Sequence, residues 1–269
     1  MCYLLLLALA GAAFAADLAR DLTFRAGFEG STDAQVARGD KRLYAAPSYK
    51  EQASAVPRLG TDVELVSGMG LKGGGALRFR KKNTQAVFYR AERNVAFDPE
   101  GWSGTISFWL NLNPDQDLEP GYCDPIQVTD KAYNDSAIWV DFTKDDKPRH
   151  FRLGVFGALQ SWNPQNLPPD KNPAFLQRLV VVKQPPFDRG KWTHVGIVFA
   201  DLGKGGNAKL FVNGKLQGAT PAIPEPFQWD VARAAIRLGV NYVGLLDDVA
   251  IFRRPLTDQE IGTIASQRF

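Results

Sequence analysis

The chain has 269 residues, 45% hydrophobic and 23% charged, which is ordinary globular composition and enough for a sizeable core. Its 32 basic and 29 acidic residues leave a net charge of +3, and the basic residues are spread along the chain, which argues against a nucleic-acid binder. Seventeen Phe and six Trp beside 25 Gly and 17 Pro point to short strands and many turns rather than long helices.

Residues 1–15 read as a signal peptide: an apolar run ends in Ala13-Phe14-Ala15, a small-x-small cleavage pattern, just before the first acid, Asp17. The expectation is a protein secreted to the periplasm, the cell surface or the medium. The run is shorter than the ~20 residues of a spanning helix and no second one follows, so contact with a membrane would be peripheral rather than integral. Cleavage would remove Cys2 and leave Cys123 alone, without an internal disulfide.

The stretch "LARDLTFRAGF" (residues 18–28) reads as an opening strand, and the polar, turn-rich text that follows to about Gly75 reads mostly as loop. "ALRFRKK" and "QAVFYRA" alternate apolar and polar residues on either side of Asn83, which predicts a hairpin. In "GTISFWLNLN", Ile106, Phe108, Leu110 and Leu112 share one face, the mark of a core strand. Residues from Pro114 to about Asp135 are acidic and turn-prone. "SAIWVDF", "HFRLGVF" and "RLVVVKQ" supply three more strands, the last two separated by a Pro- and Asn-rich surface loop, "SWNPQNLPPDKNP".

"KWTHVGIVFAD" and "AKLFVNGKLQGAT" add a strand and a hairpin turning at Asn213-Gly214, a pair suited to the positive φ angles of a type I′ turn. "AIRLGVN" and "GLLDDVAIF" close the set. One short terminal helix is signalled by Thr257 and Glu260, a capping box ahead of Ile261 and Ile264. About ten strands without βαβ alternation or a fixed repeat predict an all-β sandwich or jelly roll.

The order "GGALRF", "GTISFWLNL", "KWTHVGIVF", "AKLFVNGKLQG", "GLLDDVAIFRRPLTDQEI" resembles the laminin G-like, concanavalin A-type jelly-roll family, particularly its bacterial secreted members. The resemblance implies a two-sheet antiparallel β-sandwich with a short C-terminal helix, one domain over residues 16–269 with long insertions at about 31–74 and 114–173. It also implies a face or rim that binds glycans or proteins, though the same fold carries hydrolases and lyases, so function must come from a site. A structural Ca²⁺ is implied between the opening and closing strands, at the Phe28-Glu29-Gly30-Ser31 turn and Asp247; hard oxygens suit that ion.

A retaining hydrolase needs two carboxylates ~5 Å apart. Asp145-Asp146 and Asp247-Asp248 are adjacent and point to opposite faces, and Asp141 has no second acid in phase on its strand. His194, in phase with Trp192, reads as a packed structural residue. His150, with Arg149 and Arg152 near and Asp141 on the preceding strand, is the least implausible catalytic centre. With two His and one remaining Cys, zinc clusters are excluded. A sugar site needs an aromatic surface flanked by amides and acids; "QSWNPQN" offers Trp162 with Asn163, and Tyr133, Trp139, Asp141 and Arg152 lie on or near the neighbouring strands. Arg38-Gly39-Asp40 copies an adhesion tripeptide, a match too short to carry weight. The expectation is a non-catalytic carbohydrate- or surface-binding module that partners a glycan or cell-surface component. Two alternatives stay open: a polysaccharide-active enzyme, and an adhesion domain that binds proteins.

Overall fold

The computed structural model of the protein describes residues 18–267; residues 1–15, where a signal peptide is expected, and Cys2 lie outside the described residues. Numbered in chain order, the strands form two antiparallel sheets. The nine-stranded sheet runs β15 (Lys215–Ala219), β14 (Asn207–Val212), β13 (Thr193–Leu202), β8 (Trp102–Asn111), β17 (Gly244–Phe252), β1 (Leu22–Ala26), β2 (Val36–Ala37), with β6 (Gly75–Phe79) on β17 and β5 (Val63–Ser67) on β6. The eight-stranded sheet runs β12 (Leu179–Val182), β11 (Phe151–Phe156), β10 (Ala137–Phe142), β9 (Cys123–Thr129), β16 (Ala235–Val240), β7 (Ala86–Arg90), β3 (Tyr44–Ala46), β4 (Val56–Pro57).

Alternation decides what each sheet buries. Ile106, Phe108 and Leu110 of β8 and Val195, Ile197 and Phe199 of β13 face Ile126, Val128, Ile138, Val140 and Leu153 of the other sheet in one continuous core. Trp102 packs edge-on against Phe199 and Trp229 at one end of it. The outer face of the larger sheet is covered by the terminal helix Asp258–Gln267, whose Ile261 and Ile264 meet Val198, Phe211 and Phe252.

The capping box forms as its spacing predicts: Thr257 Oγ1 accepts from Glu260 N at 3.2 Å, and Glu260 Oε2 accepts from Thr257 N at 2.7 Å. Asn213 and Gly214 both have positive φ, 49° and 75°, as a type I′ turn requires. Asn213 also ties the turn to β13, where its Oδ1 accepts from His194 N at 2.9 Å.

Three expectations fail. "ALRFRKK" and "QAVFYRA" are not a hairpin: β6 pairs with β17 and β5 in one sheet, whereas β7 pairs with β16 and β3 in the other. The connection through Lys82 is held by Glu119, whose Oε1 accepts from Lys82 N at 2.7 Å, so the chain crosses between layers there. The stretch before Gly75 is less loop than it reads, because β3 and β5 extend both sheets. And the acidic text after Pro114 conceals β9, a central strand whose Cys123, Ile126 and Val128 are core. Arg38-Gly39-Asp40 is built into the fold: a Cβ on Gly39 would lie 2.1 Å from the Glu92 carbonyl oxygen, and Asp40 accepts from Arg42 and Tyr44.

Candidate functional site

The outer face of the eight-stranded sheet carries the polar residues that alternate with the core set. One row crosses five strands in direct register: Phe88 of β7, Arg237 of β16, Gln127 of β9, Trp139 of β10 and Gly154 of β11. Gly154 is required there, since a Cβ would sit 2.2 Å from Trp139 Cζ2; its absence lets the indole lie flat on the sheet. Trp139 Nε1 donates to the Tyr133 carbonyl at 2.6 Å, and its ring stacks with Phe156 and Phe175.

Two residues along β10, Asp141 faces Arg152 of β11, its direct cross-strand partner. Arg152 Nε donates to Asp141 Oδ1 at 2.8 Å and Nη2 donates to Oδ2, a bidentate pair. The guanidinium also lies over the Tyr122 ring, 5.0 Å from its centroid. Burial pushes the Asp141 carboxyl up, and the Arg152 fork pulls it the other way.

A second carboxylate enters from β9. Register slips between Val140 and Phe142, where β9 spends one residue more than β10, and Pro125 sits in that bulge. Asp124 reaches the same cavity as Asp141, with Gln127 Nε2 donating to its Oδ2 at 3.0 Å. Burial holds the Asp124 carboxyl well above the usual range, and the nearby Asp141 adds to it.

These groups line a cavity of about 510 Å³. Its rim is apolar and accessible: Tyr122 is 45% exposed, Tyr133 39% and Leu176 55%. The wall bearing Leu176 is the short helix Pro173–Gln177, capped by Asn172, whose Oδ1 accepts from Ala174 N at 3.0 Å. Phe175 of that helix stacks on Phe156 at 4.9 Å, so the insertion between β11 and β12 is a packed wall rather than a free surface loop.

Of the residues singled out in the sequence, Tyr133, Trp139, Asp141 and Arg152 converge on this cavity. Trp162 and Asn163 do not. Trp162 is buried behind Phe156, and its Nε1 donates to the Asn134 carbonyl at 3.0 Å. Asn163 is buried as well and clasps Leu167 through both of its amide atoms. The exposed aromatic surface expected at Trp162 is supplied instead by Tyr122 and Tyr133. Asp124 and Gln127 are hidden in the sequence because Pro125 disguises the strand they sit on, and Tyr122 because it immediately precedes that strand.

Of the centre expected around His150, Asp141 and Arg152 pair with each other, but His150 and Arg149 do not join them. His150 faces Asp146 at 3.5 Å, outside the cavity, and Arg149 donates to the Leu118, Glu119, Gly121 and Thr143 carbonyls, which pins the loop before β9. His194 is fully buried beneath the terminal helix, with Nε2 2.9 Å from Ser107 Oγ, as its structural reading expects.

Glu29 and Asp247 line a separate cavity of about 270 Å³, together with Asp248, Arg25 and Lys72; Gly30 lies in the adjoining turn with φ 74°. Asp247 accepts from Leu71 N and Asp248 N, and Glu29 Oε2 accepts from Gly75 N at 3.0 Å. Burial, with Asp248 and Glu29 near, pushes the Asp247 carboxyl up to about 7. Crowded carboxylates in a cavity are oxygen donors that a divalent cation relieves. Asp248 is already neutralised by Arg25 at 2.6 Å, and among the described residues no cluster of three or more acids, His or Cys is poised around one point.

A family model described as the concanavalin A-like lectin/glucanases superfamily matches residues 81–262. No curated protein matches the chain in sequence. Among solved structures, domain 4 of an extracellular arabinanase from Geobacillus stearothermophilus, in complex with arabinotriose, is similar at 17% identity and TM-score 0.55, over 91% of this chain and 98% of that one. The ligand-binding domain of botulinum neurotoxin serotype D, in complex with N-acetylneuraminic acid, is similar at 10% identity and TM-score 0.60, over 95% of this chain and 53% of that one. Trypanosoma rangeli sialidase in complex with sialic acid is similar at 12% identity and TM-score 0.55, over 93% of this chain and 33% of that one. At such identities the likeness is one of fold.

Proposed function

Since the chain belongs to the concanavalin A-like lectin/glucanase superfamily, we propose that the outer face of its eight-stranded sheet binds carbohydrate without cleaving it. The observation that carries this reading is the 510 Å³ cavity, where exposed Tyr122, Tyr133 and Leu176 surround a fixed set of polar groups, Asp124, Gln127, Asp141 and Arg152. A pyranose offers apolar C–H faces to rings and hydroxyls to directed acceptors and donors, and the cavity has both. The arabinotriose and sialic acid complexes of similarly folded domains support a glycan as the partner. The reading includes export by way of residues 1–15 and a peripheral place at any membrane.

Tyr122→Ala and Tyr133→Ala, at exposed positions, should each weaken binding on an oligosaccharide panel by about tenfold, or 1.4 kcal/mol, with little change in melting temperature. Unchanged titrations for both variants would refute the site.

Asp124 beside Asp141 favours a second reading, polysaccharide hydrolysis. Asp141 is committed to Arg152 and Asp124 to Gln127, so neither is free as a nucleophile, and this ranks below binding. Release of reducing ends that disappears in Asp124→Asn would reverse that ranking.

A structural Ca²⁺ is proposed at the 270 Å³ cavity, held by Glu29 and Asp247 with carbonyl and water oxygens in the remaining positions. Added Ca²⁺ should raise the melting temperature of the purified protein and chelator should lower it, with neither response in Asp247→Asn. A melting temperature that ignores both would remove the ion.

A further inference from the structure

Along the same sheet face lies another cavity, of about 390 Å³, near the β7 end. Its floor is apolar, formed by the buried Phe88 ring and alanines, and its walls carry Lys50, Arg90 and Arg233 with no acidic residue among them. None of the three makes an ion pair among the described residues, and no acid lines the cavity to pair with them, unlike Arg42 with Asp40, Arg189 with Asp117 or Arg254 with Asp21 and Glu260. Arg90 is held in place by the Tyr44 ring, 4.8 Å below its guanidinium.

Between the two cavities stands Arg237, 4% exposed, with no contact ion pair among the described residues; Asp130 and Asp124 act on it at longer range. Its Nη1 donates to Gln127 Oε1 at 2.7 Å and its Nη2 to the Lys131 carbonyl at 2.9 Å, all neutral acceptors, while the Tyr49 ring lies 4.5 Å from it. A buried cation whose carboxylates lie beyond contact distance gains from further negative charge nearby. Gln127 belongs to the first cavity, and Phe88, the direct register partner of Arg237, belongs to the second. From Phe88 to Trp139 the row spans three inter-strand steps, roughly 14 Å at about 4.8 Å each, which is the reach of a short oligosaccharide lying across the strands.

We infer that the row joins both cavities into one cleft for an acidic polysaccharide, with an anionic sugar unit seated on Lys50, Arg90 and Arg233. The inference rests on the carbohydrate reading above and adds the charge class and a second subsite. Carboxylate and sulfate share the chemistry that these cations recognise. Charge balance agrees: in the first cavity Arg152 neutralises Asp141 and burial favours the protonated form of Asp124, whereas the cavity of Lys50, Arg90 and Arg233 offers only positive groups.

The test is titration of the full-length protein with polygalacturonate, dextran sulfate and neutral arabinan at two salt concentrations. At least one acidic polymer should bind tenfold or more tightly than arabinan, and more weakly as salt rises. The double variant Arg90→Gln/Arg233→Gln, at positions that are not core, should lose that tenfold preference and most of the salt dependence while keeping the wild-type melting temperature and arabinan affinity. The identity of the preferred polymer separates carboxylate from sulfate. Equal affinity for acidic and neutral polymers, or a double variant that binds the acidic polymer like wild type, overturns the inference. Failure of Tyr122→Ala to weaken any polymer would sink the first-cavity reading alone, and the arginine result would stand or fall separately.

Discussion

Replacing Arg152 with Met should lower the unfolding free energy by about 3–5 kcal/mol at pH 8 and by much less near pH 4. Arg152 is the cation for Asp141 and also the cation that acts most strongly on Asp124, and both carboxylates line the same cavity. Without it, burial is unopposed and the folded-state pKa of Asp141 moves further above its ordinary 3.8. For an acid whose folded pKa is raised, the folded state holds the proton through the window above 3.8, so stability falls as pH rises across that window and returns as pH drops. Denaturant midpoints at the two pH values check this. An equal loss at both would assign the effect to lost packing of the arginine stem on Tyr122 and Trp139, not to charge. Glycan affinity should fall in parallel, since the pair fixes the polar side of the cavity.

Acidification should cost the wild-type protein roughly 3–5 kcal/mol through a single buried group, His194. Burial beneath the terminal helix lowers its pKa from 6.5 to about 3. The unfolded chain therefore binds a proton that the folded one refuses between those values. Stability from this group is complete above pH 6.5 and is lost as pH falls toward 3. His194→Gln, which keeps a polar group facing Ser107 and leaves the backbone contact to Asn213 intact, should flatten the acid limb of a midpoint-against-pH curve. A variant with the wild-type acid slope would show that other groups dominate it.

Strands whose apolar residues alternate cleanly, such as β8, β10 and β13, were legible because burial on one face writes itself into the sequence at period two. The terminal helix and the Asn-Gly turn were legible because each depends on local hydrogen bonding. What alternation does not encode is the sheet a strand joins: β6 and β7 read as partners and lie in different layers. Proline at a bulge hid β9 and with it Asp124 and Gln127 of the first cavity. Trp139, Asp141 and Arg152 could be placed together from two neighbouring strands. Lys50, Arg90 and Arg233 come from three distant stretches, and only the folded sheet puts them around one space. Trp162 misled because polar neighbours suggested exposure, while its ring closes the back of an aromatic stack.

The packing of Leu18 with Ile261 and Ile264 brings the first and last described turns of the chain onto one spot. That spot is on the outer side of the larger sheet, and both cavities open on the opposite side of the sandwich. A tether attached at either end would thus aim the cleft outward from whatever held it, with the thickness of two sheets between anchor and ligand. Orientation would come from the fold itself, independent of which end was held.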